Sequence, residues 1–103
     1  MRYEDYIRKR EQRSPTFRAR REANEPVFEF QLALVRARIE AGLTQKQLAA
    51  RIGKPQSAIA RWENGTNIPK LETLQQLAEV LGITFRVSES GITVESSADR
   101  VPA

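Results

Sequence analysis

The chain has 103 residues, 17 basic and 13 acidic side chains, net charge +4, and neither cysteine nor histidine. That length fits one small domain, and the composition rules out disulfides, thiol nucleophiles, thiolate metal sites and imidazole bases, so no enzyme, metal or cofactor is expected. No apolar run approaches the roughly 20 residues of a membrane span and the basic N-terminus has no apolar signal core; the chain reads as a cytoplasmic protein whose positive balance favours an anionic partner.

Residues 1–23 form a charged arm. Tyr3, Tyr6, Ile7 and Arg10 follow helical spacing, Ser14-Pro15 interrupts them, and a second short helix carries Phe17 with Arg18, Arg20 and Arg21. Neither piece has enough apolar surface to hold by itself. The arm is therefore either solvated or ordered by a partner.

A long helix follows, with Asn24 as N-cap and Pro26 in its first turn. Phe28, Leu32, Val35 and Ile39 make one apolar line, Leu34, Ala37 and Ala41 lie beside it, and Gly42 is the expected C′ residue. Around Val27, Phe28, Phe30 and Leu32 the stripe is wider than a four-helix module requires. That excess predicts contact with the arm, a second subunit or another protein.

The next helix starts at Thr44, whose hydroxyl forms a capping box with Gln47, and ends at Gly53. A third starts near Pro55, taken as N1, carries Ile59 and Trp62, and ends at Asn64-Gly65. A fourth follows Pro69, with Leu71, Leu74, Leu77, Ala78 and Leu81 on one face and Gly82 as its stop. Residues 24–83 thus make a bundle of four short helices. Residues 84–95 read as a β-hairpin, with β-branched alternation from Ile83 to Val87 and Ile92 to Val94 and a turn over Ser88 to Gly91. A lone hairpin is marginal in water. Its edge, carrying Phe85, Val87, Ile92 and Val94, is a candidate dimer element. Residues 96–103 are expected to be a disordered tail.

Gln45, Leu48, Ala49, Ile52, Gly53, Ile59 and Trp62, within "GLTQKQLAARIG", "AIARWENG" and "IPKLETLQQLAEVLGI", resemble the phage lambda-type (Xre/Cro) repressor helix-turn-helix family over about residues 31–83. The resemblance implies a mainly α, lambda-repressor-like helix-turn-helix bundle, here with an N-terminal helical arm and a C-terminal β-hairpin. It also implies double-stranded DNA as partner, bound by a homodimer on a palindromic operator, which would place the protein at the bacterial nucleoid when bound. By position, Gln45 matches the family's backbone-contacting glutamine at a helix N-terminus, with Thr44 and Lys46 beside it. Gln56 matches the base-reading glutamine, able to pair with adenine; Ser57 sits at the next reading position and Arg61 one turn on. Pro55 replaces a family reading position and can offer only apolar contact. Lys54, Asn67 and Lys70 are candidate phosphate contacts. Arg38 and Glu63 match a pair that the family often joins for structural reasons.

The wider layout resembles HigA-like antitoxins, which neutralise an RNA-cleaving toxin of the RelE/HigB class and repress their own operon. It shares with them a charged aromatic arm, a proline-led first helix and a β-tail. On that resemblance Tyr3, Tyr6, Ile7, Phe17, Phe28 and Phe30 are candidate toxin contacts. A stand-alone, phage-like repressor is the alternative. The net basic arm fits awkwardly with toxins that are themselves typically basic.

Overall fold

A computed structural model of the chain describes residues 2–65 and 67–96. Six helices precede one hairpin: α1 (Tyr3–Arg13), α2 (Pro15–Glu22), α3 (Pro26–Glu40), α4 (Gln45–Ile52), α5 (Gln56–Asn64), α6 (Leu71–Leu81), β1 (Ile83–Ser88) and β2 (Gly91–Ser96). The β2 strand reaches one residue into the segment assigned to the tail; the rest of that segment, from residue 97, lies outside the described residues. Among the described residues no helix is long and apolar enough to cross a membrane.

Two apolar clusters hold these elements. The larger joins Leu34 and Ala37 of α3, Leu48, Ala49 and Ile52 of α4, Ile59 and Trp62 of α5, Leu77 and Leu81 of α6, and Ile83 of β1. The smaller joins Ile7 of α1 and Phe17 of α2 to Phe28 and Leu32 of α3. This second cluster corrects the expectation of a solvated or partner-ordered arm. Each arm helix alone is too poor in apolar surface, but together they cover the surplus stripe of α3. Phe17 meets Phe28 edge-on at 5.1 Å, and arginines roof the cluster, Arg10 over Phe17 at 4.9 Å and Arg20 over Phe28 at 4.5 Å. The break at Ser14-Pro15 is itself built: Ser14 closes α1 through its N–H on the Arg10 carbonyl, then caps α2 by accepting the Phe17 N–H at 3.1 Å.

Two boundaries and one apolar face depart from the expectation. Glu25, not Asn24, is the N-cap of α3; Asn24 adopts φ 53°, a left-handed turn residue behind α2. Pro55 is the N-cap of α5 and Gln56 its first residue. In α6, Leu71 is 71% exposed while Thr73 is buried, so the inward face begins later than the leucine spacing suggests. The end of α3 follows the expectation: Gly42 has φ 75°, and Leu43 N–H returns to the Arg38 carbonyl while Gly42 N–H returns to Ile39.

The hairpin is antiparallel, with Phe85 opposite Val94 and Val87 opposite Ile92. It is not a lone ribbon. Phe85 packs on Phe30 of α3 at 5.7 Å between ring centres, and Phe85 and Val94 both pack against the larger cluster. This docking against a helix supplies the support that a two-stranded ribbon lacks. The edge surface expected to dimerise is correspondingly smaller: Phe85, Ile92 and Val94 are half-buried, and only Val87 is well exposed, at 76%.

Candidate nucleic-acid interface

The pair α4 and α5 begins with the Thr44 cap. Thr44 Oγ1 accepts the Gln47 N–H at 3.0 Å and Gln47 Oε1 accepts the Thr44 N–H at 2.9 Å, closing the expected box. Gly53 then turns the chain at φ 67°, a conformation that favours glycine, and Lys54 N–H returns to the Ala49 carbonyl at 3.0 Å. Ala49 is buried against this corner. The α5 N-terminus has no side-chain cap, so its first turn presents backbone N–H groups and the positive dipole end outward. At the other end of α5, a side chain on Gly65 would strike the Arg61 carbonyl, its Cβ falling 2.5 Å away.

Behind both N-termini lies a buried ion pair. The Arg38 guanidinium forks onto the Glu63 carboxylate, Nε to Oε2 at 2.6 Å and Nη2 to Oε1 at 3.0 Å. The side chains are 11% and 1% exposed. Arg38 Nη1 also donates to the Leu43 carbonyl at 2.9 Å, tying the α3–α4 loop to α5. Gln45 Nε2 donates to Glu63 Oε1 at 2.9 Å, and Gln45 Oε1 accepts from Gln56 Nε2 at 3.4 Å. One chain of polar contacts thus runs from Arg38 to the tip of α5. Gln45, expected on a phosphate, has its amide engaged inside the protein and is half-buried. What it offers outward is its place at the mouth of α4.

The remaining expected contacts are exposed: Thr44, Lys46, Lys54, Gln56, Ser57, Arg61, Asn67 and Lys70. Ser57 stands at the second helical position, clear of the cap. From Thr44 to Lys70 the chain carries Lys46, Arg51, Lys54, Arg61 and Lys70 against one acid, Glu63, a net +4. That acid is neutralised by Arg38. None of those five cations is in an ion pair among the described residues. An uncompensated field of this kind suits a polyanion.

The six candidate protein-contact residues separate. Ile7, Phe17 and Phe28 are buried in the smaller cluster and Phe30 is buried against Phe85, so none of the four presents a docking surface. Only Tyr3 and Tyr6 are partly exposed. Tyr6 shares a groove with Arg38, Thr44, Gln45, Lys46 and Gln56, and burial pushes its phenol above the ordinary value, so it stays protonated. Its hydroxyl accepts from Arg10 Nη1 at 2.9 Å, and the same Nη1 donates to Asn64 Oδ1 at 2.7 Å. This bridge from α1 to the end of α5 was not read from the sequence. One of three arginines in a charged helix gives no local sign that it will meet a residue 54 positions away.

Comparison with known proteins gives a match of residues 34–87 to the helix-turn-helix family HTH_3. A putative multi-protein-binding factor 1 of Yarrowia lipolytica is 35% identical over 60 residues, 58% of this chain and 40% of that protein. The HTH-type transcriptional activator BcrR of Enterococcus faecalis is 32% identical over 76 residues, 71% of this chain and 37% of the relative. The cryptic phage CTXphi transcriptional repressor RstR of Vibrio cholerae is 35% identical over 60 residues, 56% of this chain and 54% of the relative. The chain spans about two fifths of the first two relatives and about half of the third.

Proposed function

The chain belongs to the helix-turn-helix family, and on that premise we propose that it is a sequence-specific DNA-binding transcription regulator. The observation that carries this reading is the contact chain Arg38–Glu63–Gln45–Gln56. It sets the outward N-terminus of α5 at a fixed place beside the capped N-terminus of α4. With α4 against a phosphate, the first turn of α5 enters the major groove. Gln56 and Ser57 then read base edges, and Arg61 reaches a guanine or a phosphate from the next turn. Lys46, Lys54, Asn67 and Lys70 hold the backbone on either side. Repression follows where the bound site overlaps a promoter.

One module makes few base contacts, so a homodimer on a two-fold operator is part of the proposal. The exposed Val87 and the open hairpin edge are its candidate element. Between the two biological settings, a stand-alone regulator is favoured. The antitoxin role rests on layout, and four of its six candidate contacts are buried in the chain's own core. Co-purification of a small basic ribonuclease with the chain would reverse that preference.

The test is selection of a preferred duplex from a randomised pool, followed by Gln56→Ala. The variant is expected to lose about 1–3 kcal/mol on the selected site while keeping its affinity for random duplex. An unchanged ratio of selected to random affinity would remove Gln56 from base reading.

A further inference from the structure

We propose that α1 is a second nucleic-acid-binding element, whose Tyr6, Lys9 and Arg13 meet the phosphate backbone beside the stretch held by α4. The inference rests on the duplex-binding reading above.

Tyr6 lines the groove that also contains Thr44, Gln45, Lys46 and Gln56. The first turns of α1 therefore stand at the mouth of α4, where a phosphate is placed by that reading. Contacts on two sides place them there. Ile7 is buried, and Arg10 bonds Asn64 at the end of α5 while stacking on Phe17. Lys9 and Arg13 follow Tyr6 at i+3 and i+7, on the same side of the helix. Both are exposed, and neither is in an ion pair among the described residues. Two acids of α1 are already neutralised, Asp5 by Arg8 and Glu11 by Arg21, and Glu4 lies near Arg2.

The result is a cationic edge continuing the net +4 field of Thr44 to Lys70. From Tyr6 to Arg13 it extends about 10 Å along the helix axis, enough to meet phosphates beyond the one at α4. The Tyr6 oxygen accepts from Arg10, which leaves the phenolic proton for a phosphate oxygen. An acidic protein surface is the competing occupant; it predicts no change in duplex binding when this edge is neutralised.

The experiment is a salt titration of the full chain on a labelled random-sequence duplex of about two helical turns, read by fluorescence anisotropy. Three double variants are compared with the natural sequence: Lys9→Ala with Arg13→Ala, Lys46→Ala with Lys54→Ala, and the charge-preserving Lys9→Arg with Arg13→Lys. Each lost phosphate contact lowers the slope of log affinity against log salt by about 1. Both alanine pairs are expected to flatten it by about 2, the charge-preserving pair to keep it, and thermal melts to stay unchanged. An unflattened slope for Lys9→Ala with Arg13→Ala, beside a flattened one for the α4 pair, overturns this inference alone. A flattened slope that the charge-preserving pair shares overturns it too. Absence of binding by the natural sequence at low salt overturns both the duplex-binding reading and this one.

Discussion

The two apolar clusters are built on opposite plans. The larger draws buried aliphatic residues and one tryptophan, Trp62, from α3, α4, α5, α6 and β1. The smaller has four buried members, Ile7, Phe17, Phe28 and Leu32, with Tyr3 and Tyr6 partly buried on it and arginines over its rings. The first is closed by hydrocarbon and one internal ion pair. The second is closed by exposed or half-exposed pairs such as Arg21–Glu11 and Arg20–Glu25, which contribute little each. The difference teaches that two regions packed together can be closed by unlike means, and it predicts a less stable arm. The arm is the part expected to open first.

The largest effect is expected at the ion pair inside the larger region. Glu63→Ala leaves the Arg38 guanidinium buried without its carboxylate, a loss of about 3–5 kcal/mol. Replacing Arg38 by leucine as well is expected to recover part of it, since no charge is then left behind. Urea melts of the two single variants and the double variant measure the coupling. Simple additivity would show that the fork contributes nothing as a pair.

Next come two cavity variants that set the clusters against each other. Leu48→Ala, at a fully buried position, is expected to cost about 2–5 kcal/mol and to lower protection of amides throughout α3–α6. Phe17→Ala removes a side chain of similar burial, yet its loss is expected to fall on α1 and α2, releasing the arm while α4 and α5 keep their protection. Hydrogen exchange resolved by segment reads both. Equal loss across the whole chain in the two variants would make the molecule one cooperative unit.

The smallest effect is alkaline. Burial raises the phenols of Tyr3 and Tyr6 above their ordinary 10.0. The folded state therefore holds these protons more tightly than the unfolded one. That contribution is complete below the unfolded-state value and is lost as pH rises through the folded value. Melting temperature is expected to fall more steeply above about pH 10 in the natural sequence than in a Tyr6→Phe variant. Identical alkaline profiles would assign the decline to other groups.

Much of the molecule was legible because its signals are local. The Thr44 box, the glycines at 42, 53 and 82, and the Asn64-Gly65 stop depend on neighbours within a few positions, and they are where spacing placed them. The spacing of Leu48, Ile52, Ile59 and Trp62 is just as local, and it suffices to indicate two helices crossing at a tight turn. Leu71 misled for a related reason: helical period assigns it a face, but that face begins only where α6 meets the rest of the core.

By itself, then, the sequence determined the order and kind of the elements, since capping and periodicity act along the chain. Tertiary structure alone decided where the surplus aromatic surface went. Phe17 sought Phe28, Phe30 sought Phe85, and Arg10 reached Asn64. An apolar stripe advertises that it must be covered but not by what. The free energy of burial depends on area and fit, and several surfaces could have supplied both.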